Sequence, residues 1–579
     1  MEDPQSSSHI STGIPMAQSE FVDDQNAPIQ NTGETKSPDP PFQGKDEVSY
    51  NISPEEGNFE RGKRRKSLSF YGAFMSIVIM ILMVSLDSSE LGVAITTISE
   101  ELNGTTLQAF WANLAFTLAV VVTQPLYVSA SNTVGRKPLL YSAFILFAIG
   151  SLIFALAKDM NVVIAGRLVA GLGGGGLDVL NEVLMCDITT LKERPLWMGI
   201  AATPMAIGVI LGPIIGAAFT DYVTWRWLGW INLPMTAASG GLAFFFLDLK
   251  SLEGSMRSRL ARLDWYGMAL FTIGCTVFAL PLSWAGSLYP WSSWKTILPL
   301  VIGFLFLVGF GIYEKRPAEP VIPYRFFKSR TTVAVMIGGF FHGMILYPLT
   351  LYMPLFFQSV NLESSIGSAI STLPSACVLI AFSILSGVVI LFLRRYIWLL
   401  WAAWALMSAG TGLFALWDQN SSIAEYAGYQ SIIGVGLGIL FGGVPALAIQ
   451  ASVPDPDDQG FAIGLMVSFR LFGALVGLAV GASAFSNVFS KSIFSLEPLP
   501  SALSVLGNAG EAVNFIPHLR DLDLAPDVMD AVQGVYNDCM RMIWYILAGF
   551  GALGFISSLL VEELSIESEA QGRQHLGGT

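Results

Sequence analysis

The chain has 579 residues, of which 53% are hydrophobic and 13% are charged. Soluble domains carry about a quarter charged residues, so this composition predicts an integral membrane protein. A net charge of −13 without a large basic block argues against a nucleic-acid-binding surface. The four cysteines are scattered and form no C-x-x-C pair, so we expect no disulfide framework, no metal site and no cofactor.

The chain begins with a polar segment and continues with long apolar stretches. Residues 1–66 are rich in Ser, Pro, Asp and Gly, which predicts a disordered tail. A membrane-crossing helix needs about twenty mostly apolar residues. Fourteen such spans follow, which predicts an all-α polytopic fold; they lie near 70–95, 108–127, 138–157, 161–186, 197–219, 229–247, 266–286, 294–313, 332–357, 365–392, 396–416, 429–451, 461–486 and 541–562.

Basic residues predict the orientation of these spans. They precede span 1 and recur in every second connector, as in the linkers at 248–263 and 316–331. Because basic loops stay in the cytoplasm, both the N-terminal tail and the tail at 563–579 are expected there. Residues 487–540 form a large extracellular loop in this scheme, with a short amphipathic helix proposed around 528–536. Two glycosylation sequons, at Asn103 and Asn420, also fall in outside loops.

Charged residues inside spans are costly and are therefore candidates for function. Span 1 contains Asp87 and Glu90, and span 4 contains Arg167, Asp178 and Glu182. Span 1 runs outward and span 4 runs inward, which places Asp87 and Arg167 at similar depth. We therefore expect these two side chains to face each other, either as a static ion pair or as part of proton transfer.

The other intramembrane carboxylates are expected to have different roles. Glu90 has no evident basic neighbour, and an unpaired carboxylate away from water is what a proton carrier needs. Asp178 and Glu182 lie closer to the cytoplasmic end, where we expect a structural link, together with Asp187, to Arg136 or Lys137.

Several further features have a packing interpretation beside a functional one. The run from Gly171 to Gly176 formally matches a dinucleotide fingerprint, but it lies inside a span and is expected to let helices approach closely. His342 in span 9 either titrates or packs, and Arg470 in span 13 is expected to anchor the helix at the inner surface. The aromatic residues of span 9 either line a substrate cavity or pack; they are Phe340, Phe341, Tyr347 and Tyr352.

Motifs distributed over 67–562 resemble those of the major facilitator superfamily, in the fungal fourteen-span drug:proton antiporter group. The span 1 motif runs from Leu86 to Ile95, and Arg167 with Gly171 and Gly173 is similar to the span 4 motif. The loop between spans 2 and 3 ends in the expected Gly135, Arg136 and Lys137, although its beginning departs from the pattern. Span 5 is similar to the antiporter motif, with Gly208, Gly212, Pro213 and Gly216, and its glycines four residues apart are expected to form a smooth packing surface.

The resemblance implies two six-helix bundles and two additional central helices. The first bundle would cover 67–247, the additional helices 264–315, and the second bundle 332–486 together with 541–562. It further implies a substrate cavity between the bundles, a gate at Gly135–Lys137 and a role of Arg167 in proton transfer. His342 and the carboxylates of spans 1 and 4 are the candidates for proton coupling or for the substrate cavity.

These observations predict a monomeric secondary transporter that exports a small organic compound, such as a drug, toxin or secondary metabolite, in exchange for protons. The expected location is the plasma membrane or, alternatively, the vacuolar membrane. An alternative substrate is a metabolite such as a basic amino acid or a siderophore. A receptor that kept the fold is a further alternative, although the short C-terminal tail argues against it. An enzyme is disfavoured, because no nucleophile–base set and no P-loop is visible.

Overall fold

The computed structural model describes residues 66–104, 106–250, 252–285, 289–494, 501–507, 511–520, 522, 524–568 and 573–574. Within these ranges the regular structure is helical, apart from one isolated bridge between Ala285 and Tyr289. The predicted N-terminal tail lies almost entirely outside the described residues.

Six long helices form a first bundle, which we call the N bundle. Its contacts run mainly between α2 and α4, α3 and α4, α1 and α5, and α1 and α6. The helices are α1 (Leu68–Glu101), α2 (Thr106–Val134), α3 (Arg136–Ala155), α4 (Met160–Ile188), α5 (Arg194–Tyr222) and α6 (Trp227–Phe246).

Three further helices connect the N bundle to the second half of the chain. They are the short α7 (Met256–Ala261) and the antiparallel pair α8 (Trp265–Trp284) and α9 (Trp294–Tyr313). α8 contacts both α2 and α16, whereas α9 packs on α8 and exposes most of its apolar side chains. The pair therefore lies beside the junction of the two bundles, as expected for the additional central helices.

The second bundle, called here the C bundle, has the same number of membrane-crossing segments, two of which are broken. Its helices are α10 (Arg330–Ser359), α11 (Ser365–Ser371), α12 (Leu373–Leu393), α13 (Ile397–Leu413), α14 (Ile423–Phe441), α15 (Val444–Ala451), α16 (Pro456–Phe494) and α18 (Pro526–Ser558). α17 (Ala512–Leu519) and three 3-10 helices, at Tyr324–Lys328, Phe414–Leu416 and Ser501–Gly507, complete the described elements.

Thirteen segments of the described chain are long and apolar enough to cross a membrane. α6 is the fourteenth predicted span, and it has the length but not the hydropathy. Its buried side carries Asn232, Thr236 and Ser239, and it packs on α1 and α3. The helix is less apolar because these polar side chains face the interior of the bundle.

The glycine run of α4 serves helix packing, as expected. A Cβ atom on Gly171 would lie 2.6 Å from the Phe116 carbonyl oxygen of α2, and one on Gly173 would lie 2.4 Å from the Phe147 nitrogen of α3. Such distances are shorter than any ordinary van der Waals contact. The small residues therefore allow α4 to pack closely between two neighbours.

The connector before the last span differs from the prediction. α16 continues to Phe494 and α18 already begins at Pro526, so the region between these helices is shorter than the predicted 487–540. The proposed amphipathic helix at 528–536 is the first part of α18. Tyr536 and Cys539 are fully buried there, which explains why this stretch is helical although it is not uniformly apolar.

Candidate functional site: two buried charge clusters and a closed end

A charge cluster lies inside the N bundle where α1, α4 and α6 meet. Arg167 donates from Nη1 to Asp87 Oδ2 at 2.8 Å and from Nη2 to the Asp87 carbonyl oxygen at 3.2 Å. Asn232 donates from Nδ2 to the other carboxylate oxygen at 2.7 Å. The guanidinium also lies 4.3 Å from the centroid of the Phe116 ring. The predicted contact between Asp87 and Arg167 is therefore present, with Asn232 as an additional partner.

Glu90 lies one turn further along α1 and is 1% exposed. Its Oε2 atom has no hydrogen-bond partner among the described residues. A buried carboxylate oxygen without a donor is costly when it is charged. Glu90 is thus the carboxylate of this cluster with an oxygen that accepts no hydrogen bond, whereas both oxygens of Asp87 accept one.

The antiporter motif of α5 packs directly against this part of α1. A Cβ on Gly208 would lie 2.6 Å from the Ser85 Cβ, and one on Gly216 would lie 2.4 Å from the Glu90 carbonyl oxygen. Gly212 similarly faces Ser89. The glycines four residues apart therefore form the smooth packing surface predicted from the sequence, with Pro213 inside the helix.

A second cluster lines a cavity between the N bundle and the C bundle. Asp178 and Glu182 contribute from α4, and Arg470 contributes from α16. Four methionines form much of the remaining wall: Met185, Met198, Met205 and Met466. Methionine is flexible and polarisable, so a wall of this kind adapts to differently shaped apolar groups.

The cavity is small in this conformation. Its volume of about 30 Å³ is enough for one or two water molecules, whereas sites for organic ligands measure roughly 300–1,000 Å³. Helix geometry places Asp178 about 15 Å from the end of α4 and Arg470 about 21 Å from the start of α16. The cavity therefore lies near the middle of a hydrocarbon layer about 30 Å thick.

Two predictions about these residues were wrong. Asp178 accepts a hydrogen bond from Gln124 at 2.6 Å and, like Glu182, lies opposite Arg470 rather than near Arg136 or Lys137. Arg470 does not anchor α16 at the surface. It faces the cavity, and its guanidinium lies 5.0 Å from the Phe441 ring centroid.

His342 lies behind this cavity, inside the C bundle. It is 3% exposed, and its Nε2 atom has no hydrogen-bond partner in the described structure. Together with Arg470 it lines a second cavity of about 20 Å³. Two aromatic residues of the same helix pack against neighbouring rings, because Phe340 contacts Phe472 and Phe341 contacts Phe550.

Most basic connectors lie at one end of the helices, which we call the basic end. A network of hydrogen bonds and ion pairs around the predicted gate joins the helices at this end. Arg136 donates from Nε to Asp187 at 3.0 Å and from Nη1 to Ser131 at 2.8 Å. The expected link to Asp187 is therefore present. Gly135 has a φ of +116°, which glycine adopts without strain. Lys137 makes an exposed contact, 3.5 Å from Asp248.

Arg194 joins the two bundles at the basic end. From α5 it donates to Gln450 at 2.8 Å and to Gln459 at 3.1 Å, both in the C bundle. It also donates to the carbonyl oxygens of Cys186 and Thr189 at 2.8 Å. The side chain is buried. These bonds keep the basic end closed below the central cavity. Arg194 is not recognisable as a functional residue from the sequence, because it lies among the basic residues that follow span 4.

Comparison with known proteins places this architecture in a family. The model of the Major Facilitator Superfamily matches residues 73–478. The chain belongs to the major facilitator superfamily. It is therefore an integral membrane transporter and not an enzyme, and its α8–α9 pair is an addition to the two six-helix bundles of the superfamily fold.

Curated relatives within the superfamily come from fungi. The chain is 44% identical to the MFS-type transporter sphD of Aspergillus fumigatus, over 90% of this chain and 91% of the relative. It is 32% identical to the efflux pump FUS6 of Gibberella fujikuroi, over 90% and 93% of the two chains. The MFS-type efflux pump LUC4 of Fusarium is also 32% identical, over 91% and 93%.

Solved structures support the superfamily fold at low sequence identity. The proton:xylose symporter XylE superimposes with a TM-score of 0.54 at 12% identity, covering 86% of this chain and 97% of XylE. The human organic anion transporter MFSD10 gives a TM-score of 0.53 at 13% identity, with 85% and 97% covered. These superpositions agree with the superfamily fold.

Proposed function

We propose that this transporter exports a small organic compound in exchange for protons by alternating access, with Asp178 and Glu182 as the coupling carboxylates. The observation that carries the proposal is their position on the cavity between the bundles, opposite Arg470. Relatives named as efflux pumps support export rather than uptake. The flexible methionine wall suits a substrate that is largely apolar.

The charges of the cavity provide a physical basis for exchange. Two carboxylates on the N bundle face one guanidinium on the C bundle, so the cavity is electrically balanced when one carboxylate carries a proton. In a site of low dielectric constant an unbalanced charge is costly. Proton release to one side of the membrane therefore strengthens the attraction between the bundles, and protonation weakens it.

The substrate enters only after the basic end opens. At the basic end, Arg194 of the N bundle donates hydrogen bonds to Gln450 and Gln459 of the C bundle. These bonds have to break for the bundles to separate at that end. Rocking of one bundle against the other around a central site is the usual motion of transporters with repeated halves. In such a cycle, closure of the basic end precedes opening on the opposite side.

The cluster around Asp87 has a different role in this proposal. Arg167 and Asn232 occupy both oxygens of the Asp87 carboxylate, so this group orients α1, α4 and α6. Neither Asp87 nor Glu90 contributes to the cavity wall. Glu90, with its free buried oxygen, is a second proton site inside the N bundle. Among the candidate carboxylates of spans 1 and 4, Asp178 and Glu182 rather than Asp87 and Glu90 exchange the proton for substrate in this proposal.

The orientation follows from the charge distribution. With the basic end in the cytoplasm, both chain termini are cytoplasmic and the substrate enters from the cytoplasm. Asn103 and Asn420 lie at the opposite end as candidates for glycosylation. We propose that the protein acts as a monomer in the plasma membrane; residence in the vacuolar membrane would make the same cycle a storage pathway.

A toxicity screen tests export directly. A strain without the gene and a strain that overexpresses it are exposed to a panel of fungal metabolites and drugs, and intracellular accumulation is measured. We expect lower accumulation of at least one compound on overexpression, and no such effect with the Asp178→Asn, Glu182→Gln double variant at equal surface level. Equal accumulation in cells with the native and the double variant protein would refute the assignment of these carboxylates.

A further inference from the structure

The chain after α18 runs along the basic end of the C bundle. Tyr396 donates from its hydroxyl to the Glu562 carbonyl oxygen at 2.8 Å and accepts from the Leu564 nitrogen at 3.0 Å. The Glu563 carboxylate accepts from the Tyr396 nitrogen at 2.9 Å. Ile566 is 1% exposed. This part of the tail is therefore fixed to the C bundle by hydrogen bonds and by apolar burial.

Arg573 and Gln574 of the same tail reach the junction of the two bundles. Arg573 pairs with Asp457 of α16 at 2.9 Å, which is still a contact with the C bundle. The neighbouring Gln574 accepts through Oε1 from the Arg136 nitrogen at 3.0 Å, which is a contact with the N bundle. Gln574 is 6% exposed. Adjacent tail residues thus bind opposite bundles.

The contact of Gln574 has a defined local role. Arg136 is the first residue of α3, and the preceding Gly135 has no side chain that could cap the helix. The first backbone N–H groups of a helix lack partners within that helix. Gln574 supplies an acceptor for one of them from the distant end of the chain. The bond uses the backbone of Arg136, so it is separate from the ion pair with Asp187.

We propose that Arg573 and Gln574 of the C-terminal tail act as a strap that keeps the basic end closed: Gln574 caps α3 of the N bundle while Arg573 remains bound to α16 of the C bundle. Both contacts persist only while the two bundles lie together at this end. Opening has to release Gln574 from α3, because Arg573 and Tyr396 bind the tail to the other bundle. The proposal rests on the alternating access proposed above and adds a regulatory element to it.

The test measures the distance between the bundles and requires no transported compound. Spin labels are placed at the basic end in an Asp248→Cys, Arg395→Cys protein, with the exposed Cys377 replaced by serine. The full-length protein in lipid nanodiscs is compared with Gln574→Ala and with a chain ending after Ser568. Pulsed electron resonance then gives the ratio of long to short distances in each sample.

A matched control removes a tail contact that stays within one bundle. Glu562 lies 3.6 Å from Arg330 of α10, and both belong to the C-bundle side, so Glu562→Ala should leave the distance ratio unchanged. Gln574→Ala and the shortened chain should raise the ratio of open to closed molecules about fivefold, the effect expected for the loss of one buried hydrogen bond.

Two results would contradict the strap in distinguishable ways. Equal distance ratios in the native protein, in Gln574→Ala and in the shortened chain would refute the strap while leaving alternating access intact. A single distance in all proteins, at both acidic and neutral pH, would refute alternating access itself and the strap with it.

Discussion

The ion pair between Asp87 and Arg167 provides a quantitative test of the N-bundle core. Both side chains are 5% exposed, and the closest N–O distance is 2.8 Å. Replacing Asp87 by Ala leaves the Arg167 guanidinium buried without its carboxylate. Removal of one partner of a buried pair costs about 3–5 kcal/mol. We therefore expect Asp87→Ala to lower the free energy of unfolding by that amount.

The double variant separates the ion pair from simple loss of packing. Asp87→Ala combined with Arg167→Met contains no lone buried charge, so it should be more stable than the sum of the two single changes predicts. The assay is equilibrium unfolding of purified protein by SDS in mixed micelles. The control is Asp248→Ala, which breaks the exposed contact with Lys137, 34% and 79% exposed, and should cost less than about 1 kcal/mol. If the costs of Asp87→Ala and Arg167→Met simply add, or if Asp248→Ala costs as much as Asp87→Ala, then burial of the Asp87–Arg167 pair does not explain its contribution to stability.

Three further outcomes are expected. Burial raises the pKa of Glu314, just beyond the end of α9, to about 7. The folded protein keeps this proton after the unfolded chain has released it, so the free energy of unfolding falls as pH rises from about 4.5 to 7. Glu314→Gln removes this cost, so the variant should unfold at a higher temperature than the native protein at pH 8 but not at pH 4. Gly216→Ala places a Cβ 2.4 Å from a carbonyl oxygen of α1 and should lower the unfolding temperature, whereas Gly241→Ala, with no atom within 4 Å of the new Cβ, should not. Arg194→Ala removes the hydrogen bonds to the two glutamines of the C bundle and should speed alkylation of the buried Cys186; an unchanged rate would argue against its closing role.

Hydropathy and depth were sufficient to predict much of the fold and one of the two charge clusters. The helices start and end within a few residues of most predicted spans, because the cost of burying backbone and charge in lipid leaves little choice. Opposite chain directions in α1 and α4 were enough to place Asp87 beside Arg167. The antiporter glycines were correctly interpreted as a packing surface, because their spacing repeats once per turn.

The second cluster was not predictable in the same way. α16 begins at Pro456 rather than near 461, because its first turn contains Asp457, Asp458 and Gln459 and so resembles a loop. Arg470 therefore lies a full turn deeper than expected. Its meeting with Asp178 and Glu182 joins helices almost 300 residues apart, and no local periodicity encodes such a contact. The same holds for Gln574 and Arg136.

Proton release on substrate binding is the most direct measure of whether Asp178 and Glu182 couple proton and substrate. Purified protein in weakly buffered solution is mixed with a compound found in the accumulation screen, and the pH change is recorded with an indicator dye. We predict proton release by the native protein and by Glu90→Gln, and none by the Asp178→Asn, Glu182→Gln double variant that still binds the compound. Undiminished proton release by that double variant would show that Asp178 and Glu182 are not the coupling carboxylates.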